Sequence, residues 1–474
     1  MTAIENKTLP KTWFTLLFTD IVFFLLNFFH IALASTLTIE LSEVGLLRYQ
    51  ISFFTSFNYS SFFIALIVVV VQFILSYILL IQRFRKRGIT EIKPIELEAN
   101  NQPSFIQNLR ISPQKIYNWV QELAAEHNVK SIKRVYLTDM QIPSVMTIDI
   151  IPLPFIRHSW LVLDANIIEI LEEREIKAII CHELGHVKYG DGTVNFFKFG
   201  LNYFVFIAYA FPILELFYLL FTAPVNALSI ALRIAFIIIV VFILLAFTIL
   251  SNFLMNISRR QAEFICDVYS AKHVGRNHMI NALLTVGKRN EVLNSFYNEF
   301  RWLGSLENKE NISQEFIQGL KELSPQELSR TISREKAVSI YIRQRLQNLK
   351  TFLKIPLKDK QIEELADKAS KELIMKRKNG LNNNYFHNNH EKKEHLLIQE
   401  HDLLLGEDNS LFLDNNNLDK LIKIIESNPE KSLFSFDSEK ENGSKETPYP
   451  TIKERILFLY YNLEKNRKKE SSNH

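Results

Sequence analysis

The sequence predicts a mainly α-helical integral membrane protein with four spans and a cytosolic α+β block. Three observations carry that reading. Hydrophobic residues fill 47% of 474 positions against 22% charged. The 37 Phe gather with Leu, Ile and Val into long uncharged runs, which a bilayer needs and a single water-soluble core does not. Between and after the runs lie polar segments whose apolar residues recur at helical spacing.

Crossing a hydrocarbon core of about 30 Å takes ~20 helical residues. Roughly 13–34, 62–81, 194–220 and 231–250 are that long. The second is apolar but for Gln72, Ser76 and Tyr77, and the fourth is uncharged over 234–250. Asp20 and His30 interrupt the first; Lys198, Pro212 and Glu215 interrupt the third. Glu215 and Arg233 stand equally far from Pro224, so an antiparallel hairpin sets them at one depth as an ion pair. Lys7 and Lys11 precede the first span, Arg83, Arg85, Lys86 and Arg87 follow the second, and Lys188, Arg259 and Arg260 flank the other pair. By the positive-inside rule both termini and both polar blocks are cytoplasmic, a plan that suits a bacterial inner membrane.

The mild net charge of +4 gives no nucleic-acid footprint. Cys181 and Cys266 give no disulfide framework. The expected organisation is a helix pair over 1–82, a cytosolic block over 83–193, a hairpin over 194–255, a further helix over 256–290, a helical insert over 291–445 and a C-terminal segment over 446–474. In the first block Ser112-Pro113 opens a helix, 134–137 and 160–163 look like strands, and the apolar pattern from Glu175 continues as helix to about Tyr189.

That last helix holds His182-Glu183-Leu184-Gly185-His186. Residues four apart share a helical face, so both imidazoles can reach one zinc ion while Glu183 touches a water beside it. A catalytic zinc takes three protein ligands and keeps a position open. Glu263, in Ser258-Arg259-Arg260-Gln261-Ala262-Glu263-Phe264-Ile265-Cys266-Asp267, is the best third ligand. Glu263 and Asp267 are again four apart, so one can ligate while the other accepts the free N–H of a ligand histidine. Cys266 is a rival donor, and ordinary packing histidines are the competing account of the motif.

In the order of these parts the chain resembles the HtpX-type family of membrane zinc endopeptidases, relatives of the CAAX prenyl proteases. The resemblance rests on HELGH with Val187, Lys188 and Asp191, then Glu263-Phe264, Asp267 and Ser270-Ala271-Lys272. It implies a zincin-like metalloprotease domain with one Zn2+ per chain held by His182, His186 and Glu263, and with Asp267 beside them. It also implies a protein or peptide substrate drawn from damaged or misassembled membrane proteins. Glu183 would be the general base. Tyr449 stands where the family has a catalytic His, and a phenol can donate to an oxyanion. Arg455 would pair with an acid near the site. Around 142–146 the family's Asn-Ala-Phe edge-strand segment is absent, though an extended peptide can still add through its main chain. A CAAX-like processing peptidase and a non-catalytic zinc-bearing sensor or scaffold stay open as alternatives. The insert, with a capping box at 324–327, a helix over 362–374 and an Asn-rich flexible linker at 382–390, reads as a solvated helical appendage, a regulatory or substrate-gating insert being the alternative.

Overall fold

The computed structural model describes residues 9–41, 47–51, 59–86, 89–92, 104–107, 109–130, 132–139, 142–151, 157–222, 227–306, 312–323, 334–353, 358–380, 415–434 and 449–471. These are mainly helical, with a small sheet. In chain order they form α1 (Leu9–Thr36), β1 (Leu37–Leu41), β2 (Leu47–Ile51), α2 (Tyr59–Lys86), β3 (Thr90–Ile92), α3 (Ser104–Gln107), α4 (Pro113–Glu126), β4 (Ile132–Thr138), β5 (Val145–Ile151), β6 (His158–Asp164), α5 (Ala165–Ile170) and α6 (Glu173–Tyr189). Then follow α7 (Asp191–Thr222), α8 (Ala227–Val274), α9 (Arg276–Leu306), α10 (Ser313–Lys321), α11 (Arg334–Leu353), α12 (Asp359–Gly380), α13 (Asn415–Ser427) and α14 (Ile452–Ser471).

Each expected span falls inside one helix: α1, α2, α7 and α8. Among the described residues, two stretches are long and apolar enough by length and composition to cross a membrane, Lys11–Leu33 and Ile230–Val274, while Leu66–Leu79 is shorter. The fourth expected span and the helix with the third-ligand candidate are one element, the 48-residue α8. At 1.5 Å per residue it is roughly 70 Å long, about twice a hydrocarbon core, so a single hydrocarbon core cannot contain its whole length. Arg233 is fully buried in α8, and the side chain of its expected partner Glu215 lies outside the described residues.

The four-stranded sheet has the order β3-β4-β6-β5. β4 and β6 run parallel, and β3 and β5 are antiparallel additions at the two edges. One face packs on α4, whose N-cap Ser112 accepts from Lys115 N and whose buried stripe is Ile116, Trp119, Val120, Leu123 and Ala124. The stripe meets Leu161 and Leu163 of β6 and Ile176, Ile180 and Leu184 of α6 in one core. A second core lies on the other side of α6, where Ala178 meets Phe264 and Val268 of α8, Met279 and Leu283 of α9, and Ile456 and Phe458 of α14. α6 is thus clamped on both sides, which fixes the rotation of its histidines.

The insert differs from the expected appendage. Leu418, Leu421, Ile422 and Ile425 of α13 are buried in that second core with Phe434. Gly287 leaves the space: a Cβ there would come within 2.4 Å of the Phe434 ring and 2.8 Å of Ile452. α9, α10, α11 and α12 share a separate core around Phe296, Phe300, Val338 and Tyr341. The 324–327 box and the Asn-rich stretch lie outside the described residues.

Candidate metal centre

α6 begins where the Glu175 carboxylate accepts from Glu172 N at 3.0 Å. It ends at Gly190, whose φ of +80° is left-handed and whose N–H donates to His186 O at 3.1 Å. A Cβ on Gly190 would lie 2.7 Å from Arg157 Nη2. Arg157 binds this corner together: it donates to Val187 O and, from Nη2, to Thr193 Oγ1 at 2.5 Å. The chain therefore turns at once into α7, and Asp191 swings back to His186, with Oδ2 2.7 Å from Nδ1.

His182 and His186 point their Nε2 atoms at each other, 3.2 Å apart. Glu263 faces both: Oε2 is 3.4 Å from His182 Nε2 and Oε1 is 3.6 Å from His186 Nε2. The outer nitrogen of His182 is 2.9 Å from Asp267 Oδ1. Arg455 of α14 then grips Asp267 with two donors, Nε to Oδ2 at 2.7 Å and Nη2 to Oδ1 at 2.5 Å, and its Nη1 is 3.5 Å from Glu263 Oε2. The α14 helix is held in reach by the Phe264–Phe458 ring contact at 4.5 Å. Three stretches remote in sequence, the α6–α7 corner, α8 and α14, thus converge around two imidazoles.

Burial opposes charge on Glu263 and Asp267, yet both carboxyls are held below their ordinary range, Glu263 chiefly by His182 and Arg455 and Asp267 chiefly by Arg455. Desolvation lowers the His182 pKa, but Asp267 and Glu263 overcome it and raise the imidazole to about 10. His186 is likewise raised, by Asp191 against desolvation. The inner nitrogens therefore face a strongly anionic frame. A cation taking Nε2 competes there with a proton.

Glu183, one step round the helix, accepts at Oε2 from Thr147 N at 2.8 Å and from Thr147 Oγ1 at 3.1 Å. A cavity of about 790 Å³ opens in front of Glu183, His186 and Glu263; Trp13, Phe14 and Leu17 of α1 form one wall and Val145, Met146 and Thr147 of β5 another. Tyr449 lines the same cavity and is half exposed. Among the described residues, His182, His186 and Glu263 form one set of potential ligands with all donor atoms within 4.8 Å, and His186, Asp191 and Cys266 form a second. The second set uses His186 Nδ1 or Nε2 only once, and Nδ1 already holds Asp191. Cys266 is fully buried against Gly185, and burial pushes its thiol well up. That environment disfavours the thiolate a metal requires.

Sequence reasoning missed Asp191 as a partner of His186 and missed Thr147 altogether. Asp191 carried a signal, an acid at a helix start five residues past His186. Thr147 carried none. Asp20 and His30, without assignable partners in the sequence, meet Lys198 and Tyr209: Asp20 pairs with Lys198, which also donates to Ser258 Oγ at 2.5 Å, and His30 Nδ1 is 2.8 Å from Tyr209 Oη.

Residues 155–331 match peptidase family M48. This family of zinc-dependent peptide hydrolases includes HtpX and the CAAX-type prenyl proteases. No curated protein matches the chain. The M48 match starts just before β6 and runs past α10, so it takes in His182, Glu183, His186, Asp191, Glu263 and Asp267 and leaves out β5, Tyr449 and Arg455. The donors of the M48 region fit a zinc ion. Two imidazole nitrogens and a carboxylate converge, each outer imidazole nitrogen has a carboxylate oxygen beside it at 2.7 or 2.9 Å, and the remaining side opens on the cavity.

Proposed function

We propose that this chain is a membrane-embedded zinc endopeptidase that hydrolyses peptide bonds of membrane proteins, or of segments next to the bilayer, on the cytoplasmic side. One observation carries the reading: the His182, His186 and Glu263 donors converge beside the cavity that Glu183 lines, next to the start of α7 and in the C-terminal half of α8, helices with long apolar stretches. Large apolar side chains stand outward on all four candidate spans, among them Phe18 and Leu25 on α1, Ile67 and Ile74 on α2, Phe206 and Phe221 on α7, and Phe242 and Ile249 on α8. A belt of that size in water has no stable home, whereas a bilayer accommodates it. The basic residues at the span ends favour a four-span plan with the centre and both termini in the cytoplasm of a bacterial cell. Damaged or misassembled membrane proteins are the natural substrates for a cleft placed there.

A zinc ion held by His182, His186 and Glu263 would polarise the scissile carbonyl and make a nearby water acidic at neutral pH. Glu183 takes the proton from the attacking water and returns it to the leaving amine. Asp267 and Asp191 hold the two imidazoles in the tautomer that presents Nε2 inward. Arg455 fixes Asp267. Tyr449, on the cavity wall, donates its O–H to the developing oxyanion.

The test is full-length protein in detergent, incubated with an unfolded substrate and assayed for zinc. Glu183→Gln is expected to keep its zinc and lose on the order of 10²- to 10⁴-fold in kcat. Equal cleavage by variant and wild type would remove the peptidase reading from this site.

A further inference from the structure

Among the described residues β5 pairs on one side, with β6, and its other side borders the cavity. Backbone groups along an antiparallel strand face the partner and face away in alternation. Asp164 N donates to Ser144 O at 3.0 Å, so the backbone groups of Ser144, Met146 and Ile148 turn to β6. Those of Val145, Thr147 and Asp149 turn outward. An extended peptide laid along this edge would take its hydrogen bonds from these outward groups.

The outward N–H of Thr147 is already occupied. Glu183 Oε2 accepts from it at 2.8 Å and from the Thr147 hydroxyl at 3.1 Å. The residue in position to move the proton therefore sits on the donor that an arriving main chain needs.

We propose that Thr147 is a shared positioning residue: its N–H holds Glu183 until a main-chain carbonyl of an extended substrate displaces the carboxylate and frees it to act as a base. This rests on the peptidase reading above. Glu183 Oε2 leaves the N–H as the substrate carbonyl arrives, and the Thr147 hydroxyl steadies the released carboxylate. No bond is broken in the handover, and no proton moves until the water attacks. A substrate whose carbonyls are tied up in its own helix or sheet cannot make the exchange, so the device selects unfolded stretches.

Peptide binding tests this without turnover. Glu183→Gln keeps an acceptor for Thr147 N–H and Glu183→Ala removes it, and both are expected to be inactive. A dye-labelled, unstructured apolar peptide is titrated by fluorescence anisotropy against each zinc-loaded, full-length variant. Glu183→Ala is expected to bind about fivefold more tightly, the worth of one competing hydrogen bond. Adding Thr147→Val to Glu183→Gln narrows the gap, and Thr147→Ser leaves it unchanged. In the Glu183-bearing enzyme Thr147→Val lowers KM and kcat together, and Thr147→Ser restores both. Equal affinities of the Ala and Gln variants, or a Thr147→Val enzyme that loses kcat at unchanged KM, overturn the handover. Cleavage by the wild type persists in either case, whereas a wild type that neither binds nor cleaves the peptide defeats the peptidase reading itself.

Discussion

Two carboxylates behind the imidazoles do as much for the centre as the donors in front. Asp191 holds His186 Nδ1 at 2.7 Å and Asp267 lies 2.9 Å from His182 Nδ1; each fixes a ring and strengthens the nitrogen on its far side. Asp191→Ala is expected to weaken zinc affinity on the order of 10- to 100-fold, read by competition with a chromophoric chelator, while the far-UV spectrum stays unchanged. Unaltered affinity would mean that His186 is oriented by α6 alone. The spacing of His182, Glu183 and His186 was legible because a helix turns spacing into a shared face. So was the shared face of Glu263 and Asp267. Thr147 was not, since its link to Glu183 depends on how a sheet edge lies over a helix, and 36 residues separate the two.

The corner between α6 and α7 is the element on which that geometry turns. Gly190 stands at φ +80° with Arg157 packed where a Cβ would go. Ala there costs about 1–2 kcal/mol for the left-handed backbone alone, and Arg157 must also give way. Gly190→Ala is therefore expected to lower the denaturation midpoint and, by misdirecting Asp191, to weaken zinc binding as well. A loss of stability with zinc affinity intact would separate the corner from the metal site. The α6 boundary was readable from the apolar pattern ending near Tyr189, and α4 from Ser112-Pro113. β5 was harder: Val145–Ile151 has its residues mostly half-buried, with no clean alternation, because one edge faces the cavity instead of another strand. Nor did the sequence reveal where α13 belongs. Its stripe of Leu418, Leu421, Ile422 and Ile425 marks an amphipathic helix, but only the gap left by Gly287 and filled by Phe434 brings that part of the insert into the core.

At the scale of the molecule, α1, α7 and α8 are tied together by Asp20, Lys198 and Ser258 beside the cavity, and the edge of Trp13 on Tyr189, with centroids 5.0 Å apart, joins α1 to the end of α6. The centre is thus held directly against the apolar helices, and a four-span arrangement makes a definite statement about sides. If the loop between α1 and α2 lies outside, a cysteine at Arg48 reacts with an impermeant maleimide on intact cells. A cysteine at Lys376, exposed on α12, reacts only after the membrane is opened. Background labelling is low because Cys181 and Cys266 are buried, with the Cys181 thiol pushed up to about 12 by burial, so few thiolates are present at neutral pH. Labelling of Lys376→Cys on intact cells would put the metal centre on the outer side and overturn the orientation, whereas equal labelling of both would remove the spanning arrangement. The Asp20–Lys198 pair is a reason to expect a spanning arrangement over equal labelling. In the proposed four-span arrangement, with its charge paired to Asp20 and its amine donating to Ser258, Lys198 would sit at the membrane end of α7 without leaving an unpaired charge in the apolar layer, so α7 would enter the bilayer directly from the corner that aims Asp191.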